Sequence, residues 1–187
     1  MQCGRCCSDP SLIVTITHRD LLRLAFCFPN DDLFHFLCFY QLPKNDTSTM
    51  KRMMSPAINT TGGWVILGLQ KKEANCIFLE GISCQIHEFR PLTCRAFPYT
   101  FKIRDQDIYW GYSPKAKEYC PGIKKKPPPN KPEIETIAQL ILDEMDEFRQ
   151  LIQVWNHLAQ QKIITPTPEL LLDFITGKIS LTIESTE

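Results

Sequence analysis

Residues Cys76–Pro98 read CIFLEGISCQIHEFRPLTCRAFP, and the fold turns on them. Cys76, Cys84 and Cys94 follow one another at separations of eight and ten, with His87, Arg90 and Pro91 between the last two and Arg95 directly after. A thiolate is a soft ligand for zinc, iron or an iron–sulfur cluster, and turns between thiols let distant sulfurs converge. Further groups stand far off in sequence: Cys3, Cys6 and Cys7 in MQCGRCC, and Cys120 in YCPG. These seven thiols are expected to gather around metal.

Outward from this stretch, short β-rich pieces alternate with turns. Cys76-Ile77-Phe78-Leu79 reads as a strand, Glu80-Gly81 as a turn and Cys84–His87 as a short extended piece. Pro91 suits the first position of a short helix, which would put Cys94 within one turn of amides that favour a thiolate. Tyr99–Ile103 and Ile108–Tyr112 read as a hairpin, with Tyr99, Tyr109 and Trp110 as its packing residues. Toward the N-terminus, Gly4 permits a positive φ in the cysteine loop, and the side chains of adjacent Cys6 and Cys7 should point apart. Leu12–Ile16 reads as a strand. Thr17 reads as an N-cap with Asp20 at the capping-box position. Asn30 should cap a second helix carrying Leu33, Phe34, Phe36, Leu37 and Phe39. Cys27 and Cys38 would then be small buried residues on helices, with His18 and His35 likewise structural. Pro43–Gly63 reads as a long polar loop, followed by a strand at Trp64–Leu69.

Beyond the hairpin, Tyr119–Gly122 should turn and close the cysteine-bearing part. Lys124-Lys125-Lys126-Pro127-Pro128-Pro129 reads as a stiff linker. After it, Ile134, Ile137, Ile141, Met145, Phe148, Ile152, Trp155 and Ala159 form one apolar stripe on a long helix. Thr167-Pro168-Glu169 opens a last helix ended by Gly177. The fold class is therefore α+β: a small cysteine-rich metal-binding domain with short antiparallel strands and helices, followed by a helical appendage. Its divisions fall at 1–122, a linker at 123–132, and a helical region at 133–187.

The chain has 187 residues, 43% of them hydrophobic, so a packed core does not depend on metal. Lys+Arg 21 against Asp+Glu 21 leaves no net charge, which speaks against broad nucleic-acid binding. No apolar run has membrane-spanning length. Cysteines and Arg5 occupy the positions where a secretory leader would be apolar, so a cytoplasmic location and reduced thiols are expected. The lysines between Lys115 and Lys131 read as a solvated linker.

The segments Cys3–Cys7 and Cys84–Pro98 together give the chain a likeness to a family. It resembles the YkgJ-type cysteine-cluster family, the CxxCxxCC zinc- or iron-chelating domain. The likeness covers roughly residues 2–122 and includes the Ile16-Thr17…Asp20 helix entry, Cys76–Leu79 and Cys120 before Gly122. The family's first cysteine would fall one residue ahead of Met1. The resemblance implies a bound metal centre, with Cys3, Cys6, Cys7, Cys76, Cys84, Cys94 and Cys120 as ligands. A 4Fe–4S cluster is favoured and zinc is the alternative. Flagellin lysine N-methylases carry a similar domain, so the resemblance also admits methyl transfer beside a redox role. S-adenosylmethionine would serve the former, although no residue here asks for it.

Arg90 and Arg95 are expected to bind the cofactor, either by holding the charge of the thiolate centre or by clamping a carboxylate. Their alternative is an internal salt bridge to Glu80 or Glu88. His87 is a candidate ligand from its spacing to Cys84. A structural zinc module that presents the C-terminal helices to a protein partner is the second reading of the whole.

Overall fold

The computed structural model describes residues 3–43, 55–105, 107–125 and 130–181. Its elements are helices and short antiparallel pairs, an α+β fold. The chain divides into two compact units, one of residues 1–14 and 69–143 and the other of residues 15–68 and 144–187. Residues 126–129 of the expected Lys/Pro linker lie outside the described residues. The long helix α5, Lys131–Gln160, gives residues to each unit. Ile134, Ala138 and Ile141 are buried within the cysteine-bearing unit, while Met145, Phe148, Ile152 and Trp155 are buried in the other. Ile137, expected in the stripe, is 44% exposed.

In the unit of residues 15–68 and 144–187, α1 spans His18–Cys27. Thr17 caps it as expected: its hydroxyl accepts from the Asp20 amide, and the Asp20 carboxylate accepts from the Thr17 amide at 3.0 Å. Asp20 and Glu144 are both buried, and Arg23 bridges their carboxylates. Charges survive there because each finds an opposite charge. A three-stranded sheet of order β1-β3-β2 follows, from β1 Leu37–Gln41, β2 Ile58–Thr60 and β3 Gly63–Leu69. The strand expected at Leu12–Ile16 makes one isolated bridge, Thr15 with Gly68.

Two expectations fail in this unit. The helix expected after Asn30 is one 3-10 turn, Leu33–Phe36, capped by Asp32, and the chain then extends into β1. Cys38 consequently lies on a strand; it and Cys27 are half-buried, and His35 is exposed. The loop expected at Pro43–Gly63 contains β2, whose register pairs Ile58 with Val65. Residues 44–54 of that loop lie outside the described residues. Polar residues form this strand because the helix supplies its edge partners. Asn156 on α5 accepts from the Asn59 amide at 2.8 Å and donates to the Ala57 carbonyl at 2.9 Å. Trp155 donates Nε1–H to the Asn59 carbonyl and stacks on Phe174 of α6, Pro168–Ile175. Thr167 caps α6, and Gly177 follows it at φ 76°.

The cysteine-bearing unit is built from two-stranded ribbons. β4 Lys71–Lys72 pairs with β5 Asn75–Cys76, and β6 Leu79–Glu80 pairs with β7 Ser83–Cys84. The strand expected across Cys76–Leu79 is thus split in two. The extended piece expected over Cys84–His87 gives way to turns, with the His87 amide on the Cys84 carbonyl and the Phe89 amide on that of Ile86. Pro91 caps α2, Leu92–Ala96, from one position outside it. β8 Tyr99–Arg104 and β9 Asp107–Tyr112 form the expected hairpin, with Tyr99 against Tyr112 and Phe101 against Trp110. Tyr99, Trp110 and Tyr112 pack together, whereas Tyr109 is 54% exposed. The turn expected at Tyr119–Gly122 is the junction of two short helices, α3 Pro114–Tyr119 and α4 Pro121–Lys125. Among the described residues no helix is long and apolar enough to cross a membrane.

Candidate metal centre

Six cysteines from separate pieces of chain line one cavity of about 150 Å³. Cys3, Cys6 and Cys7 come from the N-terminal loop, Cys76 from β5, Cys84 from β7 and Cys94 from α2. No disulfide joins any of the nine cysteines. The remaining walls are mostly apolar, Leu12, Val14, Leu69, Phe78, Ile86 and Phe97 among them, and His87 and Arg90 complete the lining.

The N-terminal loop reaches the cavity by a tight turn. Gly4 has φ 66°, and its carbonyl accepts from the amides of Cys7 at 2.9 Å and Ser8 at 3.0 Å. That turn brings the sulfurs of Cys6 and Cys7 to 4.0 Å, correcting the expectation that they diverge. Divergence holds for extended backbone, in which neighbours alternate sides, and this backbone is coiled. The spacing is close to the edge of a zinc–thiolate tetrahedron, about 3.8 Å for bonds of about 2.3 Å. The loop docks through the Cys76 amide, which donates to the Cys7 carbonyl at 2.7 Å. Lys71 Nζ donates to the carbonyls of Asp9 and Pro10 at 2.8 and 2.7 Å. No sequence signal marked Lys71 for this task; a lysine beside a turn ordinarily faces solvent.

Gly4 is required twice over. A Cβ there would stand 3.0 Å from the Ile82 carbonyl oxygen and 3.2 Å from its Cα, in a left-handed conformation that side chains disfavour. Gly4→Ala is expected to cost about 1–2 kcal/mol of stability and to weaken metal retention, because Cys3, Cys6 and Cys7 move with the loop. Unchanged denaturation and metal content in that variant would show that the loop is not held as described.

Electrostatics at the thiols follow from their crowding. Cys6 is held down to about 6, foremost by the hydrogen bond with Cys7, with local amides and the Arg90 charge assisting and burial opposing. Cys7 is driven up by the same partner, by burial, and by the nearby thiols of Cys6, Cys76 and Cys94. Burial also raises Cys76 and Cys84. Several thiolates cannot share a dry cavity unless a cation shares it too. His87 is pushed down by burial and by Arg90.

Two expected site residues are not brought to the cavity. Cys120 caps α3, its amide on the Ala116 carbonyl, and its sulfur lies beside Gly122 and within electrostatic reach of Tyr99 and Tyr119. Arg95 is exposed and does not line the cavity, since α2 turns it away from the face that carries Cys94. Among the described residues, neither Arg90 nor Arg95 pairs with Glu80 or Glu88; Glu80 instead accepts from Gln85 at 3.2 Å. Arg90 Nε and His87 Nε2 are buried without a hydrogen-bond partner.

The donor set suits a thiophilic metal: soft sulfurs, a dry wall and two unsatisfied nitrogens. As the side chains are turned, no three His, Cys, Asp or Glu groups among the described residues stand close enough to hold an ion.

Sulfurs assembled from four pieces of chain around one apolar cavity define a cysteine-cluster protein. Residues 1–121 match the CxxCxxCC family, described as "Putative zinc- or iron-chelating domain", and the chain belongs to that family. Two relatives come from Methanocaldococcus jannaschii. Uncharacterized protein MJ0661 is 27% identical over 125 residues, covering 66% of this chain and 56% of that protein. Uncharacterized protein MJ0939 is 35% identical over 90 residues, covering 43% of this chain and 31% of that protein. The chain thus spans about half the length of the first and under a third of the second. No solved structure matches the chain.

Proposed function

We propose that this protein carries an iron–sulfur centre held by Cys3, Cys6, Cys7, Cys76, Cys84 and Cys94. One observation carries the reading: all six line the same cavity. Four thiolates satisfy a zinc ion or a cubane cluster, so six complete one such centre and leave two thiols beside it. Such a centre supplies one-electron chemistry. The chain's own part is to keep water from the sulfurs with Leu69, Phe78, Ile86 and Phe97 and to set the local charge with Arg90. A cytoplasmic, reducing setting accords with nine cysteines and no disulfide. Methyl transfer would add S-adenosylmethionine as a second cofactor, for which no built site supports a claim.

The test is purification without oxygen, followed by a visible spectrum and assays of iron, acid-labile sulfide and zinc. Brown protein with iron and sulfide is expected. Colourless protein with stoichiometric zinc would replace the cluster with a structural zinc module, its helical region serving a protein partner. Protein holding neither metal would end the metal-centre reading.

A further inference from the structure

We propose that Arg90 is the counter-cation of the thiol cavity, offsetting the charge of a thiolate-rich centre that is a net anion. This inference rests on the metal-centre reading above. Arg90 ends the turns that follow Cys84 and directly precedes Pro91, the cap of the helix carrying Cys94. Connectivity therefore puts its backbone between two thiol-bearing pieces, and the residue lines the cavity. Its Nε is buried and donates to nothing, and no carboxylate among the described residues pairs with it. The ionisable groups within its field include Cys6, Cys84 and His87.

A half-buried guanidinium whose Nε lacks an acceptor is costly, and a desolvated charge persists where an opposite charge shares its site. Arginine has no acceptor atom and stays charged, so it cannot be a ligand here. It can donate to sulfur and balance charge. A divalent ion with two thiolates is neutral and leaves such a cation uncompensated. With four thiolates the ion is doubly negative, and the same cation becomes stabilising. The arginine thus selects a centre richly ligated by thiolate over one completed by neutral donors. Arg95, five residues on and outside the cavity, has no such part.

The two possible roles of Arg90 give different results. If it braces the fold, Arg90→Gln weakens the protein with or without metal. If it balances the centre, Arg90→Gln weakens metal retention while sparing the metal-free protein, in which its Nε holds no hydrogen bond. The experiment follows release of metal from the purified holoprotein to an excess of chromophoric chelator, then thermal unfolding of the stripped protein. Arg90→Gln is expected to release metal at least tenfold faster than the wild type. Arg90→Lys, which keeps the charge, should recover most of that loss, and Arg95→Gln should match the wild type. The stripped Arg90→Gln protein should unfold close to the midpoint of the stripped wild type. A variant that purifies folded but without metal is the same result in extreme form. Equal release rates overturn the proposal, as does a stripped variant that unfolds well below stripped wild type. A wild type that holds no metal overturns the underlying reading instead, and this inference with it.

Discussion

Cys84→Ser and Cys94→Ser are each expected to purify with roughly a tenth or less of the wild-type metal, since a neutral hydroxyl poorly replaces a soft thiolate. Both thiols line the cavity, and each is the one cysteine its own element supplies. Cys27→Ala and Cys38→Ala are the controls. Those residues are half-buried on α1 and β1, do not line the cavity, and should keep full metal at a cost of about 1 kcal/mol. Cys120→Ser divides the resemblance from the geometry. The family pattern makes Cys120 a ligand, whereas its place at the end of α3 lets the metal survive its loss. Metal content per chain, measured after identical anaerobic purification, decides all five. Loss of metal from Cys27→Ala with retention in Cys94→Ser would overturn the ligand assignment.

Trp155→Ala carries the largest expected effect on stability, about 3–5 kcal/mol. The ring is fully buried, stacks on Phe174 at 6.0 Å and hydrogen-bonds the Asn59 carbonyl at 2.8 Å. Truncation leaves a cavity and an unpaired carbonyl at the edge of β2. Trp155→Phe keeps the stacking and loses the donor, so it should cost about 1–2 kcal/mol. Urea denaturation of the three proteins tests this. A midpoint for Trp155→Ala within error of Trp155→Phe would mean that the hydrogen bond, and not the packing, holds the helix to the strand.

Much of the site was legible because its signals are local. The Cys-Gly-Arg-Cys-Cys loop, the cysteine spacings of the Cys76–Pro98 stretch and the proline before α2 each impose their geometry within a few residues. The Thr17–Asp20 capping box, the Thr167 cap and the hairpin from Tyr99 to Tyr112 were readable for the same reason. The stretch from Leu33 to Phe39 was not. Its apolar residues fit neither a period of two nor one of 3.6, and the strand forms because β3 offers an edge for pairing. β2 was not legible either: one edge pairs with β3, but the other is held by Asn156, almost a hundred residues away.

By itself, the amino-acid sequence determined that this is an α+β cysteine-cluster chain, because thiol spacing, caps and turn residues act over short range. The tertiary structure alone decided which thiols share a cavity, which of two arginines lines it, and that the long helix is divided between two cores. Those outcomes depend on which faces meet when distant segments pack, and burial is a property of the meeting, not of either segment.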